Sequence, residues 1–367
     1  MRILFTSDQR SAPSTAINLP NFRRLSEIEG VAFTAFERDY ENYDVILFMG
    51  YDPDVAGVRS ANPGALAGII DPRARDETQV AMADFVIVNG LEMQDWCAAH
   101  NPNIFTYPIY PFFHWEPIRH TAKETLTIGY HGNKIHLQTM FPHVIAALKK
   151  LSETHKIELR AIYNIAQLGA FDPSLFDDAG VTLTSVQWSE TVYEKHLPDM
   201  DIGIAPNLIP VPPSKEGMAP LSPYSRWYDE HPSDCLLRCK KNSNAGRVFV
   251  FAQYGIPVVA DFTPSMGQVI RDGRNGFLAE SAEGWHRALK RLADSRQLRQ
   301  RMGERLCADC RQDYSIEALN VSLIDFIRGL DRKPPEPLDI QPDWSGIKAG
   351  QSKKRSLSTR IKRRTQG

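Results

Sequence analysis

The sequence predicts an α/β protein built from two doubly wound, Rossmann-like domains that face a central cleft. Three observations carry that expectation. Short, continuous β-branched runs recur along the chain with helical stretches between them, the pattern of strands buried on both faces of a parallel sheet. A proline-rich stretch breaks the rhythm once, after which it restarts. With 367 residues, 42% of them apolar and 24% charged, the chain is long enough for two separate cores.

Taken in order, the first series of strands is "RILFTS" (2–7), "VAFTAF" (31–36), "DVILFMG" (44–50), "LAGIID" (66–71), "DFVIVNG" (84–90) and "IFTYPI" (104–109). Pro108, Pro111 and Pro117 then mark an interdomain connection. The second series is "LTIGYHG" (126–132), "ELRAIYN" (158–164), "VTLTSVQW" (181–188), "DIGIAP" (201–206) and "IPVVAD" (256–261), with a helix over "MFPHVIAALKKLSETHK" (140–156). A helix is expected over Ser243–Tyr254, capped by Asn242, Ser243 or Asn244 and stopped at Gly255. A hairpin, "IRDGRNGFLAE", follows, and then two amphipathic helices. The resulting boundaries are 1–110, a connection at 111–125, a second domain at 126–312, a last helix at 313–332 and a Pro-rich, then basic, tail at 333–367. A non-periodic loop with six prolines interrupts the second domain at 207–234.

Charge narrows the function classes. No acid follows Asp343, whereas eight Lys or Arg do, so a formal net charge of −1 conceals an acidic remainder. An acidic body argues against nucleic acid as its partner. The basic tail could touch anionic lipid head groups. "MRILFTSDQR" reads as a first strand rather than a signal peptide, and no run approaches the length of a membrane span. The expected place is the cytoplasm, with peripheral contact at the inner membrane face. Cys97, Cys235, Cys239, Cys307 and Cys310 are too scattered for a disulfide framework, and "CLLRC" and "CADC" lack the knuckles of a zinc site, so reduced thiols and no metal are expected.

In open parallel sheets, ligands bind outside the carboxyl ends of the strands. Those ends carry Asp8, Tyr51, Asp71 and Asn89 in the first domain, and Tyr130, His131, Tyr163, Gln187, Trp188, Asn207 and Asp261 in the second. "KKNSNAGR" opens the helix that precedes the last of these strands. A helix N-terminus offers N–H groups and partial positive charge to a phosphate, and Lys240, Lys241 and Arg247 add full charges, while Ala245 and Gly246 keep the first turn narrow. In "IGYHGN" (128–133), Gly129 and Gly132 allow close approach of backbone to a ligand, and His131 can donate to it. The G-x-G-x-x-G spacing is missing, so a dinucleotide cofactor is not expected.

Together these pieces resemble the second domain of GT-B fold glycosyltransferases, particularly the large retaining, family 4 (group 1-like) enzymes that use nucleotide-diphosphate sugars. The matching segments are "IGYHG", "LPDMDIGIAPN" (197–207), "NAGRVFVFAQYGIPVVAD" (244–261), "VIRDGRNGFLA" (269–279) and "WHRALKRLADSRQLRQRMG" (285–303), in the family's order. "DVILFMG" and "ADFVIVNG" match the first domain more weakly. The resemblance implies sugar transfer to a glycan, lipid or protein acceptor, without metal or any cofactor beyond the donor. It implies that Gly129, His131, Gly132, Asn133, Ser243, Asn244, Gly246 and Arg247 hold the donor diphosphate, with Gln187 and Trp188 beside its base; Lys240 and Lys241 join the donor site through their charge, and Asn242 could bind a sugar hydroxyl. The last helix would cross back to the first domain. Asp71 and Asp8 are the candidate bases toward the acceptor hydroxyl, with His131 beside the developing charge. Trp227 and Tyr228, in the 207–234 loop, could stack on a sugar. One departure stands out. Where the retaining group carries two glutamates eight positions apart, this chain has Asn242 and Val250. That leaves a non-catalytic nucleotide-sugar binder, or an epimerase of the same architecture, as alternatives.

Overall fold

A computed structural model describes residues 1–72, 77–133, 136, 137, 140, 143–176, 179–189, 193–210, 237, 238 and 241–330. Lys240, Trp227, Tyr228, nearly all of the 207–234 loop and the tail lie outside the described residues.

The first sheet has the strand order β2-β1-β3-β4-β5-β6, each neighbouring pair running parallel: β1 (Arg2–Thr6), β2 (Ala32–Ala35), β3 (Val45–Met49), β4 (Leu66–Ile70), β5 (Phe85–Val88) and β6 (Ile104–Thr106). Every residue of β3 and β5 is buried, which explains why these segments read as unbroken apolar runs. Helices α1 (Pro13–Arg23), α2 (Val55–Ala61), α3 (Glu77–Met82) and α4 (Leu91–Ala98) connect them. The second sheet holds β7 (Thr125–His131), β8 (Lys156–Tyr163), β9 (Val181–Gln187), β10 (Ile202–Ala205), β11 (Val258–Asp261) and β12 (Phe277–Ala279) in the order β12-β11-β10-β7-β8-β9. Its helices longer than one turn are α5 (His143–Ser152), α6 (Gly246–Gln253), α7 (Pro264–Val269), α8 (Ala282–Asp294) and α9 (Arg296–Tyr314). The strand order reverses direction between β1 and β3 in one sheet and between β7 and β10 in the other. These are the topological switch points, where open α/β sheets place ligands.

Two local expectations change. Helix α6 starts at Gly246 rather than Ser243, because Asn244 Oδ1 accepts the Gly246 N–H at 2.9 Å and Ala245 occupies the cap. The expected hairpin at 270–280 is instead a turn, closed by Gly273 N–H to Gly276 O at 2.8 Å, leading into β12, which runs parallel to β11. The first arm pairs with no strand because Ile270 caps α7, a helix begun by the Thr263 hydroxyl.

The final helix, α10 (Ile316–Arg328), lies against the first sheet. Phe326 packs edge-on to Phe85 with ring centroids 5.9 Å apart and meets Phe105 at 5.4 Å. Asn320 Nδ2 donates to Asn21 O at 3.0 Å while its Oδ1 accepts from the Tyr107 hydroxyl at 3.0 Å. In the connection, Tyr110 stacks on Phe249 of α6 with centroids 4.8 Å apart. One buried apolar cluster therefore runs from Ile3 and Phe5 through Tyr110 to Phe249 and Phe251. No helix of the described residues is long and apolar enough to cross a membrane.

Candidate functional site

At the second switch point the chain leaves β7 through Gly132, whose φ of +132° suits glycine. Gly132 N–H bonds to Ile162 O at 3.0 Å, and the buried Tyr130 hydroxyl donates to Asn133 O at 2.6 Å, so both sides of the loop are held. A methyl on Gly132 would sit 3.4 Å from Arg247 Cδ, which puts this loop directly against the arginine of α6. Across the crevice, beyond β10, Asn207 Oδ1 accepts from Arg247 Nη2 at 3.2 Å. The guanidinium also lies 5.7 Å from the Tyr130 ring centroid. Burial pulls the Arg247 pKa down, while Tyr130 and Asp261 oppose it. An arginine so placed still keeps its proton at neutral pH.

Two polar atoms at the start of α6 are buried and have no hydrogen-bond partner among the described residues: Arg247 Nη1 and Ser243 Oγ. Leaving such groups unpaired costs about 1–3 kcal/mol each. Both can donate a hydrogen bond.

His131 is buried with its Nε2 3.4 Å from Arg247 O and its ring edge-on to Phe251, centroids 5.0 Å apart. Burial, with Arg247 nearby, lowers its pKa to about 3. It is neutral at physiological pH and can act there as a dipole, not as a cation. The linkage has a definite sign. A folded-state pKa below the unfolded value of about 6.5 gives stability that is complete above pH 6.5 and is lost as pH falls. Between pH 7 and 5 this one group should remove about 2 kcal/mol of stability. Urea denaturation at the two pH values reads that loss, and His131→Gln, which keeps an N–H toward Arg247 O, should shrink it. His120, also lowered by burial, adds in the same direction.

The other expected donor residues have contacts of their own within the chain. The open side of Gly129 takes Met200, since a methyl there would come within 2.0 Å of Sδ. Gly246 is small because the Ile109 carbonyl sits 2.5 Å from where its methyl would be. Both glycines therefore serve packing within the chain. Gln187, at the end of edge strand β9, accepts from Ala166 N at 2.8 Å and donates to Trp188 O and Asn164 Oδ1. Trp188 is half-buried beside it and donates its backbone N–H to Tyr163 O at 2.9 Å. Asn242 and Lys241 are exposed, the latter 3.5 Å from Asp95 of α4. Val250 is buried in the apolar cluster.

In the first lobe, Asp71 is one of two non-glycine residues with positive φ among the described residues, at +53°. Left-handed backbone of this kind costs about 1–3 kcal/mol and concentrates at functional sites. Its buried carboxylate accepts from Asn89 Nδ2 at 2.5 Å. The residue after Asn89 is Gly90, where a methyl would stand 3.2 Å from Ser243 O and collide with Ser265 Oγ. The end of β5 therefore abuts the start of α6, and the buried Glu92 carboxylate accepts from Ser265 N and Oγ beside it. Asp8 lies at a different place, past β1. There it pairs with Arg38, takes part in a cavity of about 260 Å³ and donates its own N–H to Asp52 at 2.6 Å. Asp71 and Asp8 follow β4 and β1, which are separated by β3. Among the described residues, no group of three His, Cys, Asp or Glu side chains could hold a metal ion.

No protein-family model matches the chain, and no curated protein does. Solved structures do. A glycosyltransferase from Rickettsia africae aligns with a TM-score of 0.60 at 10% identity, covering 90% of this chain and 99% of that one. Anabaena HepE, in complex with UDP, gives 0.59 at 11%, covering 90% and 100%. Against S. aureus TarM, solved with UDP, the score is 0.54 at 14% identity over 80% of this chain, which spans only 56% of TarM. At such identities the likeness speaks for fold: two parallel six-stranded sheets with flanking helices, in the arrangement of the GT-B glycosyltransferases.

Proposed function

We propose that this protein is a glycosyltransferase that binds a nucleotide-diphosphate sugar at the β7–β10 crevice and passes the sugar to a hydroxyl acceptor. The observation that carries the proposal is the pair of buried donors without partners, Arg247 Nη1 and Ser243 Oγ, at the start of α6. The likeness in fold to structures solved with UDP supports it. In the reaction, the bond between the anomeric carbon and the diphosphate oxygen breaks and its electron pair goes to the diphosphate. Arg247 neutralises that charge beside the Gly132–Asn133 loop. Neutral His131 stiffens the backbone at Arg247. The acceptor hydroxyl attacks the anomeric carbon, and Asp71 takes its proton. Glycan, lipid and protein acceptors all meet this requirement, and the scheme uses no metal.

A second reading rests on Asn242 and Val250. One is exposed and the other is buried among apolar side chains, so neither supplies a carboxylate to the sugar or ribose. A protein that binds nucleotide sugars without transferring them fits that pattern. One experiment separates the readings: melting of the full chain with UDP, ADP, GDP and their sugars, followed by assay for release of diphosphate. A midpoint raised by a diphosphate but not by its nucleoside supports the site, by mass action. Release of diphosphate from the sugar supports transfer; binding alone supports the second reading. Indifference to every nucleotide would end both.

A further inference from the structure

We infer that Asn207 is a second ligand-binding side chain of this crevice, and that Asp261, braced by His143, is the residue that positions it. The inference rests on the reading of the crevice as a diphosphate site and assigns two groups that the reading leaves without work.

Asn207 is buried, at 2% exposure. Its Oδ1 faces Arg247 Nη2, and because a guanidinium can only donate, the amide must present oxygen to the arginine and nitrogen to the other side. That nitrogen, Nδ2, is buried and has no partner among the described residues. Folded proteins seldom leave such a group unpaired. Arg247 Nη1 is in the same condition on the same pair of side chains. Two adjacent donors with no acceptor are satisfied together by one kind of group, an oxyanion with several oxygens, as on a phosphate.

Asp261, at the end of β11, is fully buried. Its Oδ2 accepts the backbone N–H groups of Asn207 at 2.6 Å and Leu208 at 2.8 Å. Its Oδ1 accepts from Trp285 Nε1 at 3.0 Å and His143 Nε2 at 3.1 Å. Four donors thus saturate one carboxylate. The two backbone bonds fix the dihedrals around Asn207 and aim its amide along Arg247. Trp285 and His143 keep the carboxylate from turning. Asp261 touches no ligand in this scheme; it acts through Asn207.

The test is calorimetric titration of UDP, ADP and GDP into the full-length protein and its variants, with melting temperatures recorded alongside. Asn207→Ala should weaken the tightest-binding diphosphate about 10-fold. Asn207→Asp, which keeps an oxygen on Arg247 but sets a carboxylate against the phosphates, should weaken it about 100-fold. Affinities within twofold of wild type for both would overturn the binding role. For the positioning role, Asp261→Asn should weaken binding in the wild-type background and add nothing in the Asn207→Ala background, whatever it does to the melting temperature. Additive losses would overturn it. Should Asp261→Asn fail to fold, His143 decides: His143→Gln, which keeps an N–H on Asp261, should hold affinity, and His143→Leu should lose it. Equal affinities of those two would count against the brace. If wild type binds none of the three diphosphates, the crevice reading falls and takes this inference with it. Wild-type binding that ignores Asn207 sinks the inference alone.

Discussion

Arg247→Ala should weaken binding of a nucleoside diphosphate by about 10- to 100-fold, because a hydrogen bond to a charged group contributes about 1.5–3 kcal/mol. The side chain supplies a full positive charge between the Gly132 loop and Asn207. Arg247→Lys should recover part of the loss. An ammonium keeps the charge but cannot span Asn207 and a phosphate at once, as a planar fork does. Circular dichroism should show a folded protein in both cases, since the rest of α6 is anchored by Val248, Phe249, Val250, Phe251 and Ala252, all buried. Calorimetry supplies the affinity. An unchanged dissociation constant for Arg247→Ala in a folded protein would move the phosphate site elsewhere.

The largest effect on stability is expected at Gly303. A methyl there would stand 1.7 Å from Gly255 O and 2.6 Å from Gly255 C. Both are backbone atoms, so no side-chain rotation relieves the clash. Gly255 itself cannot retreat: its φ is +63°, Pro117 lies against it, and its carbonyl is also bonded to His120 Nε2 at 3.2 Å. Helix α9 would have to lift from the loop that leads into β11. Gly303→Ala should therefore cost about 3 kcal/mol or more, above the usual range for a single added methyl. Gly267→Ala is the control. Its methyl would meet only Phe262 at 3.5 Å, an ordinary contact, and a helical alanine should stabilise by up to about 1 kcal/mol. Urea unfolding of the two variants, read against wild type, checks the contrast.

Much of the architecture was legible in the residues themselves. Val45–Met49 and Phe85–Val88 are continuous apolar runs because both faces of a central parallel strand are covered, and a run of that kind can be read without knowing what covers it. The crevice was legible in part, as polar residues following strands. What stayed hidden is tertiary. Gly129 and Gly246 look like positions for close approach of a ligand, yet Met200 and the Ile109 carbonyl take that space, and neither neighbour is near in sequence. Asp261 reads as one more strand end, since its partners Asn207 and His143 lie 54 and 118 residues away. The orphaned Nη1 of Arg247 likewise becomes visible only once Tyr130, Asn207 and the Gly132 turn enclose it.

The return of α10 to the first sheet has a consequence during synthesis. Phe85 and Phe105 leave the ribosome early, and Phe326, which lies over them, emerges more than two hundred residues later. At translation rates of about 5–20 residues per second, that face of the nascent lobe stays bare for roughly 10–40 s. Chaperones that recognise apolar surface have that interval in which to engage it, before Phe326 covers the two rings.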